Sequence, residues 1–207
     1  MEDVLDVYHR PYDPLRPLVC VDEKPQTLHG ETREPLPTAP GQPLRQDCEY
    51  TREGTANLFM VFEPLVGLRR VKVTQRRTAQ DFAHVLREVV DAHPEAEAII
   101  LVMDNLNTHK LGSLYETFPA VEARRIAAKL ELHYTPKHGS WLNMAEIEIS
   151  VLERQCLRRR IADRETLARE TGAWAGYRNR HATRMQWQFT STDARIKLKR
   201  LYPSLQD

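Results

Sequence analysis

Two short apolar runs in this chain each end in an acid. Leu18-Val19-Cys20-Val21 runs into Asp22, and Ala98-Ile99-Ile100-Leu101-Val102-Met103 runs into Asp104. In an open α/β sheet, ligands bind just beyond the carboxyl ends of the strands. If the two strands are neighbours, the two carboxylates converge, and they repel each other unless something neutralises them. A hard divalent cation such as Mg2+ does so, because it prefers carboxylate oxygens. One acid at a strand end usually does no more than start a turn; a pair on the two most apolar strands is a better sign of a site. A third acid is expected from the segment 142–157, which offers Glu146, Glu148 and Glu153. Leu142, Ala145, Ile149, Leu152 and Cys156 recur there at helical spacing and mark a buried stripe. Glu146 and Glu148 fall at opposite margins of that stripe, with Glu153 on the Glu146 side. Helical geometry does not choose among the three, and all could be solvated.

The elements that would position these acids can be read from the pattern. Leu18–Val21 reads as a buried strand ending at Asp22-Glu23. Pro35, Pro37, Pro40 and Pro43 with Gly41 mark a loop. Asn57–Phe62 and Arg70–Thr74 read as a hairpin around Gly67, the second strand half-exposed by its alternation. Thr78 with Asp81 signals a helix start, followed by Phe82, Val85, Leu86, Val89 and Val90 at helical spacing and stopped by Pro94. Ala98–Met103 is the most apolar strand and is expected centrally in the sheet. A helix over Val121–Leu130, a short strand over Leu132–Tyr134, a loop over Pro136–Ser140, and helices over Leu142–Leu157 and 164–178 complete the order. This is an α/β pattern with an early antiparallel and a later parallel part.

The 207 residues suit one domain, and 41% apolar residues can fill a core. No apolar stretch approaches the roughly 20 residues of a bilayer span, and the acidic start Met1–Tyr8 has no basic n-region of a signal peptide. Cys20, Cys48 and Cys156 are too few and too scattered for a disulfide framework or a zinc knuckle, which fits a cytoplasmic protein. The net charge of +1 conceals an asymmetry. Residues 1–60 carry −5, residues 61–153 carry −2, and residues 154–207 carry +8. The basic last quarter is either a footprint for a polyanion or a solvated helical face.

Two longer stretches bear a resemblance. Leu101-Val-Met-Asp-Asn-Leu-Asn-Thr-His-Lys110 and Tyr134-Thr-Pro-Lys-His-Gly-Ser-Trp-Leu-Asn-Met-Ala-Glu-Ile-Glu148 resemble the second and third catalytic blocks of DDE transposases, in particular the mariner-related bacterial insertion-sequence group. Val19-Cys-Val-Asp-Glu-Lys24 resembles the first block. Gly54–Phe59, the Arg-Arg-Thr run ending at Asp81-Phe82, Trp187–Thr190 and Asp193–Lys199 fit the same group, so the resemblance covers nearly the whole chain.

The resemblance implies an RNase H-like fold of the retroviral integrase superfamily: a mixed five-stranded sheet, three antiparallel strands and then parallel ones, flanked by helices. It selects Glu146, through Leu142-Asn-Met-Ala-Glu146, as partner of Asp22 and Asp104. The implied cofactor is a pair of Mg2+ or Mn2+ ions held by these three acids, and two-metal sites serve both the attacking and the leaving oxygen of a phosphodiester. The implied activity is endonuclease and strand transfer: hydrolysis at an element's ends, then attack on target DNA by the freed 3′-hydroxyl. Asn105, His109, Lys137, His138, Arg158, Arg159 and Arg160 are candidate DNA contacts, the three arginines as an extension of the Glu146 helix. Trp141 reads as a base-stacking residue or, more simply, a helix-start anchor.

The interval of 42 positions from Asp104 to Glu146 exceeds that of relatives, and the helix over 121–130 would absorb it. Relatives carry helix-turn-helix modules before the catalytic domain. The expectation here is a single catalytic domain over 1–207 without them, with 154–207 as its basic helical part. Expected partners are DNA, a second copy on DNA and a separately encoded DNA-binding half, in a nucleoid-associated bacterial setting without a membrane. The rival reading is a truncated, non-catalytic transposase remnant that binds DNA or full-length subunits. A generic nucleotide-binding enzyme is disfavoured, since no glycine-rich loop follows the first strand.

Overall fold

The computed structural model describes residues 1–34, 39–41, 47–105, 110–137 and 139–202. Five strands form one sheet: β1 (Leu18–Glu31), β2 (Tyr50–Glu63), β3 (Leu68–Thr74), β4 (Ile99–Met103) and β5 (Leu130–Tyr134), in the order β3-β2-β1-β4-β5. β1 pairs antiparallel with β2, and β2 with β3, while β4 runs parallel to β1 and to β5. This is the expected RNase H-like sheet. β1 rather than β4 takes the central place; β4 lies between β1 and β5 and is buried along its whole length.

Strand alternation divides the core between the two faces of the sheet. Val19, Val21, Phe59, Val61, Ile99, Leu101 and Met103 pack with Phe82, Val85, Leu86 and Val89 of α2 (Ala79–Asp91) on one face. Cys20, Leu58, Met60, Phe62, Ile100 and Val102 point to the other, against α5 (Met144–Leu152) and α6 (Arg164–Arg180). α2 starts as the sequence predicts, with a reciprocal capping box between Thr78 and Asp81. Three helices carry no clear periodic signal in the sequence: α1 (Glu2–Tyr8), α3 (Gly112–Thr117) and α7 (Ser191–Lys197). α4 (Ala120–Ala128) is the helix expected between β4 and β5.

Three expectations are corrected. β1 does not end at Asp22 but runs on to Glu31, because β2 pairs with it as far as Glu31↔Tyr50. Pairing with β4 stops at Cys20↔Val102, so beyond that point β1 has strand partners on one side only, where Pro25 is tolerated. The helix expected from Leu142 starts at Met144, because Asn143 holds an extended backbone (φ −83°, ψ 113°) and caps it. Finally, α5 gives way at Glu153 to a π turn ending at Leu157, and Arg158 has left helical geometry (φ −74°, ψ 42°). Arg158, Arg159 and Arg160 therefore follow the helix rather than extend it.

Candidate active site

The sheet opens where β1 and β4 part after Cys20 and Val102. Asp22 is two positions beyond Cys20 and Asp104 two beyond Val102, so by alternation both leave the backbone toward the face covered by α5. α5 presents Glu146 to the same place. Asp22, Asp104 and Glu146 line one cavity of about 280 Å³, together with Glu23, Lys24, Ser140 and Glu153.

Two buried anchors hold the start of α5 against the sheet. The Asn143 side chain, fully buried, accepts the Ala145 N–H at 3.0 Å and donates to the Val21 carbonyl at 2.9 Å, one residue before Asp22. The Tyr8 hydroxyl donates to the Leu142 carbonyl at 2.6 Å and accepts the Met144 N–H at 3.4 Å. Glu146 is thus three residues past a cap bonded to the strand that carries Asp22. Behind it, Ala145, Ile149 and Leu152 are buried, the two larger ones each worth roughly 2 kcal/mol by transfer from water.

Glu148 is placed differently. At about 100° per residue it lies some 200° around α5 from Glu146. It is fully buried and receives a two-pronged hydrogen bond from Arg178, at 2.8 and 3.2 Å. Arg69 Nε of β3 is also 2.8 Å from its Oε1. Arg69 is 1% exposed; its other nitrogens donate to Asn179 Oδ1 and the Thr183 carbonyl. Glu148 therefore joins β3, α5 and α6 and does not line the acid cavity. Glu153, half-exposed, pairs with Lys24 at 2.7 Å at the cavity wall.

Burial pushes the Asp22 carboxyl up to about 7. The Glu23 N–H that it accepts at 2.8 Å opposes this, and the charges of Asp104, Glu23 and Glu146 add to it. Oε2 of Glu146 is buried without a hydrogen-bond partner among the described residues. Crowded carboxylates of this kind are the donor set that a hard divalent cation takes. Their arrangement is open: among the described residues, no three His, Cys, Asp or Glu side chains are gathered tightly enough to hold an ion as they stand.

None of the other described candidates lines this cavity. Asn105 is exposed beside Asp104, and Lys137 is exposed in the turn before Ser140. Arg160 is committed to Glu31 and to the carbonyls of Asp47 and Glu49, and Arg159 pairs with Glu170. His109 and His138 lie outside the described residues. Trp141 is 42% exposed and packs on Trp187 and Phe189, which makes it part of an aromatic cluster at the helix start. A helix expected from Leu142 misses Asn143, whose signal in the sequence is a capping residue with an acid three positions on, a pattern that marks a helix N-terminus. Nothing local signalled Tyr8, Arg69 or Arg178, whose partners are distant in sequence.

Residues 17–168 match the family model described as DDE superfamily endonuclease. The chain belongs to this family. The match to the DDE endonuclease model spans Asp22, Asp104 and Glu146. Among solved structures, the fold is similar to the Mos1 mariner paired-end complex with Mn, with a TM-score of 0.57 at 17% identity, covering 87% of this chain and 54% of that one. It is similar also to the Mos1 strand transfer complex, with a TM-score of 0.56 at 16% identity, covering 87% and 55%. The chain thus spans about half the length of the solved chains it matches. At these identities the likeness speaks for the fold. No curated protein matches the sequence. No described helix of the chain is long and apolar enough to cross a membrane.

Proposed function

We propose that this chain is the catalytic domain of a DNA transposase, cutting phosphodiester bonds at an element's ends and joining the freed 3′-hydroxyl to target DNA. The observation that carries this reading is the convergence of Asp22, Asp104 and Glu146, from three distant stretches of chain, on one cavity. Their roles are those of metal ligands. Divalent ions bound there, Mg2+ or Mn2+ and two in number, would supply an activated water and charge stabilisation at the leaving oxygen. The chain's own part is positional. β1 and β4 set the two aspartates on one face of the sheet, and the Asn143 cap sets Glu146 against them. Family membership, the fold shared with the Mos1 complexes and the acid-rich cavity support this reading together.

DNA is the proposed partner, with a second copy of the chain and a helix-turn-helix module supplying end recognition. A non-catalytic remnant is the weaker reading, since it leaves three acids converging without a task. The test is nicking of supercoiled plasmid and strand transfer into short duplexes with Mg2+, Mn2+ or EDTA. Metal-dependent cleavage lost in Asp104→Asn and in Glu146→Gln is the expected result. Cleavage that survives Glu146→Gln would refute the assignment of the third acid. Inactivity of the wild type, retested when fused to a helix-turn-helix module, would refute the enzyme.

A further inference from the structure

The acid cavity sets Asp22, Glu23, Asp104, Glu146 and Glu153 against Lys24. A polyanion settles on such a surface only where cations close by hold it. Many cations of the basic last quarter are engaged by acids of the chain itself: Arg160 by Glu31, Arg178 by Glu148, Arg195 by Glu2, Arg169 and Arg159 by Glu170. The side chains of Arg154 and Arg158 make no ion pair or hydrogen bond among the described residues, and both are exposed. They line a second cavity, of about 520 Å³, whose far wall is Glu170 and Trp174 of α6.

The π turn creates this arrangement. Its first residue, Glu153, lines the acid cavity, and its second, Arg154, lines the basic one. π turns within helices occur mostly at functional sites. Here the turn also ends the helix at Leu157, which releases Arg158 to the same cavity. Trp174 offers little to a base: it is buried, its indole N–H donates to Gln155 at 2.8 Å, and the Arg178 guanidinium stands over its ring. The cavity presents guanidinium groups, not a stacking platform.

We propose that this groove is a DNA-backbone subsite, in which Arg154 and Arg158 bind phosphates of the strand that leads into the acid cavity. The proposal rests on the reading of the chain as a DNA-cutting enzyme. Binding there is independent of base sequence, because guanidinium–phosphate contacts position DNA without reading it. Arg159, neutralised by Glu170, contributes little.

The experiment is fluorescence anisotropy of a short labelled duplex with the whole chain, titrated at salt concentrations from about 50 to 200 mM. Each phosphate contact adds about 0.9 to the slope of log affinity against log salt. The double variant Arg154→Ala/Arg158→Ala is expected to show a slope shallower by about 1.8, for any duplex sequence. Arg124→Ala, which removes an exposed arginine on α4, serves as the control and is expected to leave the slope unchanged. An unchanged slope in the double variant, an equal fall in the control, or a fall restricted to one sequence would overturn the subsite. Plasmid nicking by the wild type separates the two claims. Nicking with an unchanged slope in the double variant sinks the groove and leaves the enzyme standing; a wild type that neither nicks nor binds sinks both.

Discussion

Glu148 holds a buried charge network that a single change would unbalance. Glu148→Gln keeps the size of the side chain and one acceptor oxygen but removes the negative charge between Arg69 and Arg178. Arg69 is 1% exposed and lies 2.8 Å from Glu148, its one ion pair among the described residues; burial lowers its pKa, and the Glu148 charge works the other way. Removing one partner from a buried charge network costs about 3–5 kcal/mol, because the remaining charges stay buried without compensation. The glutamine oxygen still accepts from Arg178, which sets the expectation at the lower end, about 3 kcal/mol. Against a domain stability of about 5–15 kcal/mol this is a large share. Urea unfolding followed by circular dichroism measures it. With a slope of about 2 kcal/mol per molar, the midpoint falls by about 1.5 M at unchanged slope. A loss below about 1 kcal/mol would show that the network behaves as an exposed pairing and not as the buried one described.

Other perturbations probe separate parts of the structure. Asn143→Ala leaves the Ala145 N–H and the Val21 carbonyl buried without their partners, a loss of about 2 kcal/mol in urea unfolding; metal-dependent nicking is expected to fall further than the unfolded fraction accounts for, because Glu146 loses its tie to β1. Gly67→Ala forces a side chain onto φ +75° and sets its Cβ 2.7 Å from the Ala182 carbonyl carbon, so a loss of at least about 2 kcal/mol is expected by the same measurement. His93 lies 3.2 Å from Glu63, and that hydrogen bond raises its pKa above the usual 6.5, with Arg70 opposing. A raised histidine stabilises the fold below its unfolded pKa and loses that contribution as pH rises through the folded value. The stability gap between wild type and His93→Gln is therefore expected to be open near pH 5.5 and closed near pH 8; a constant gap would refute the pairing.

Elements with strong local signals were legible in the sequence. The α2 capping box and its apolar spacing, the apolar β4, and the turn at Gly67 all depend on residues close together in the chain. The extension of β1 to Glu31 was not legible, because Lys24, Pro25 and Gln26 have no strand propensity of their own and are held in register by β2. The choice between Glu146 and Glu148 shows the same limit. Periodicity placed both at margins of the buried stripe. What separates them is a pair of arginines 79 positions before and 30 after Glu148, together with the opening between β1 and β4. Arg160 looked like one of three equivalent arginines, and only the hairpin end formed by Glu31, Asp47 and Glu49 distinguishes it.

The parting of β1 from β4 gives the two aspartates unequal mechanical standing. Asp22 sits within a ladder that continues nine residues past it, clamped along one edge by β2. Asp104 is the first residue beyond the end of its strand. One carboxylate stands inside a paired ladder, and the other stands one residue past the last paired position of its strand, Met103↔Tyr134. An adjustment that closes the cavity around a ligand is therefore taken up mainly on the Asp104 side, since the Asn143 cap ties the helix bearing Glu146 to β1.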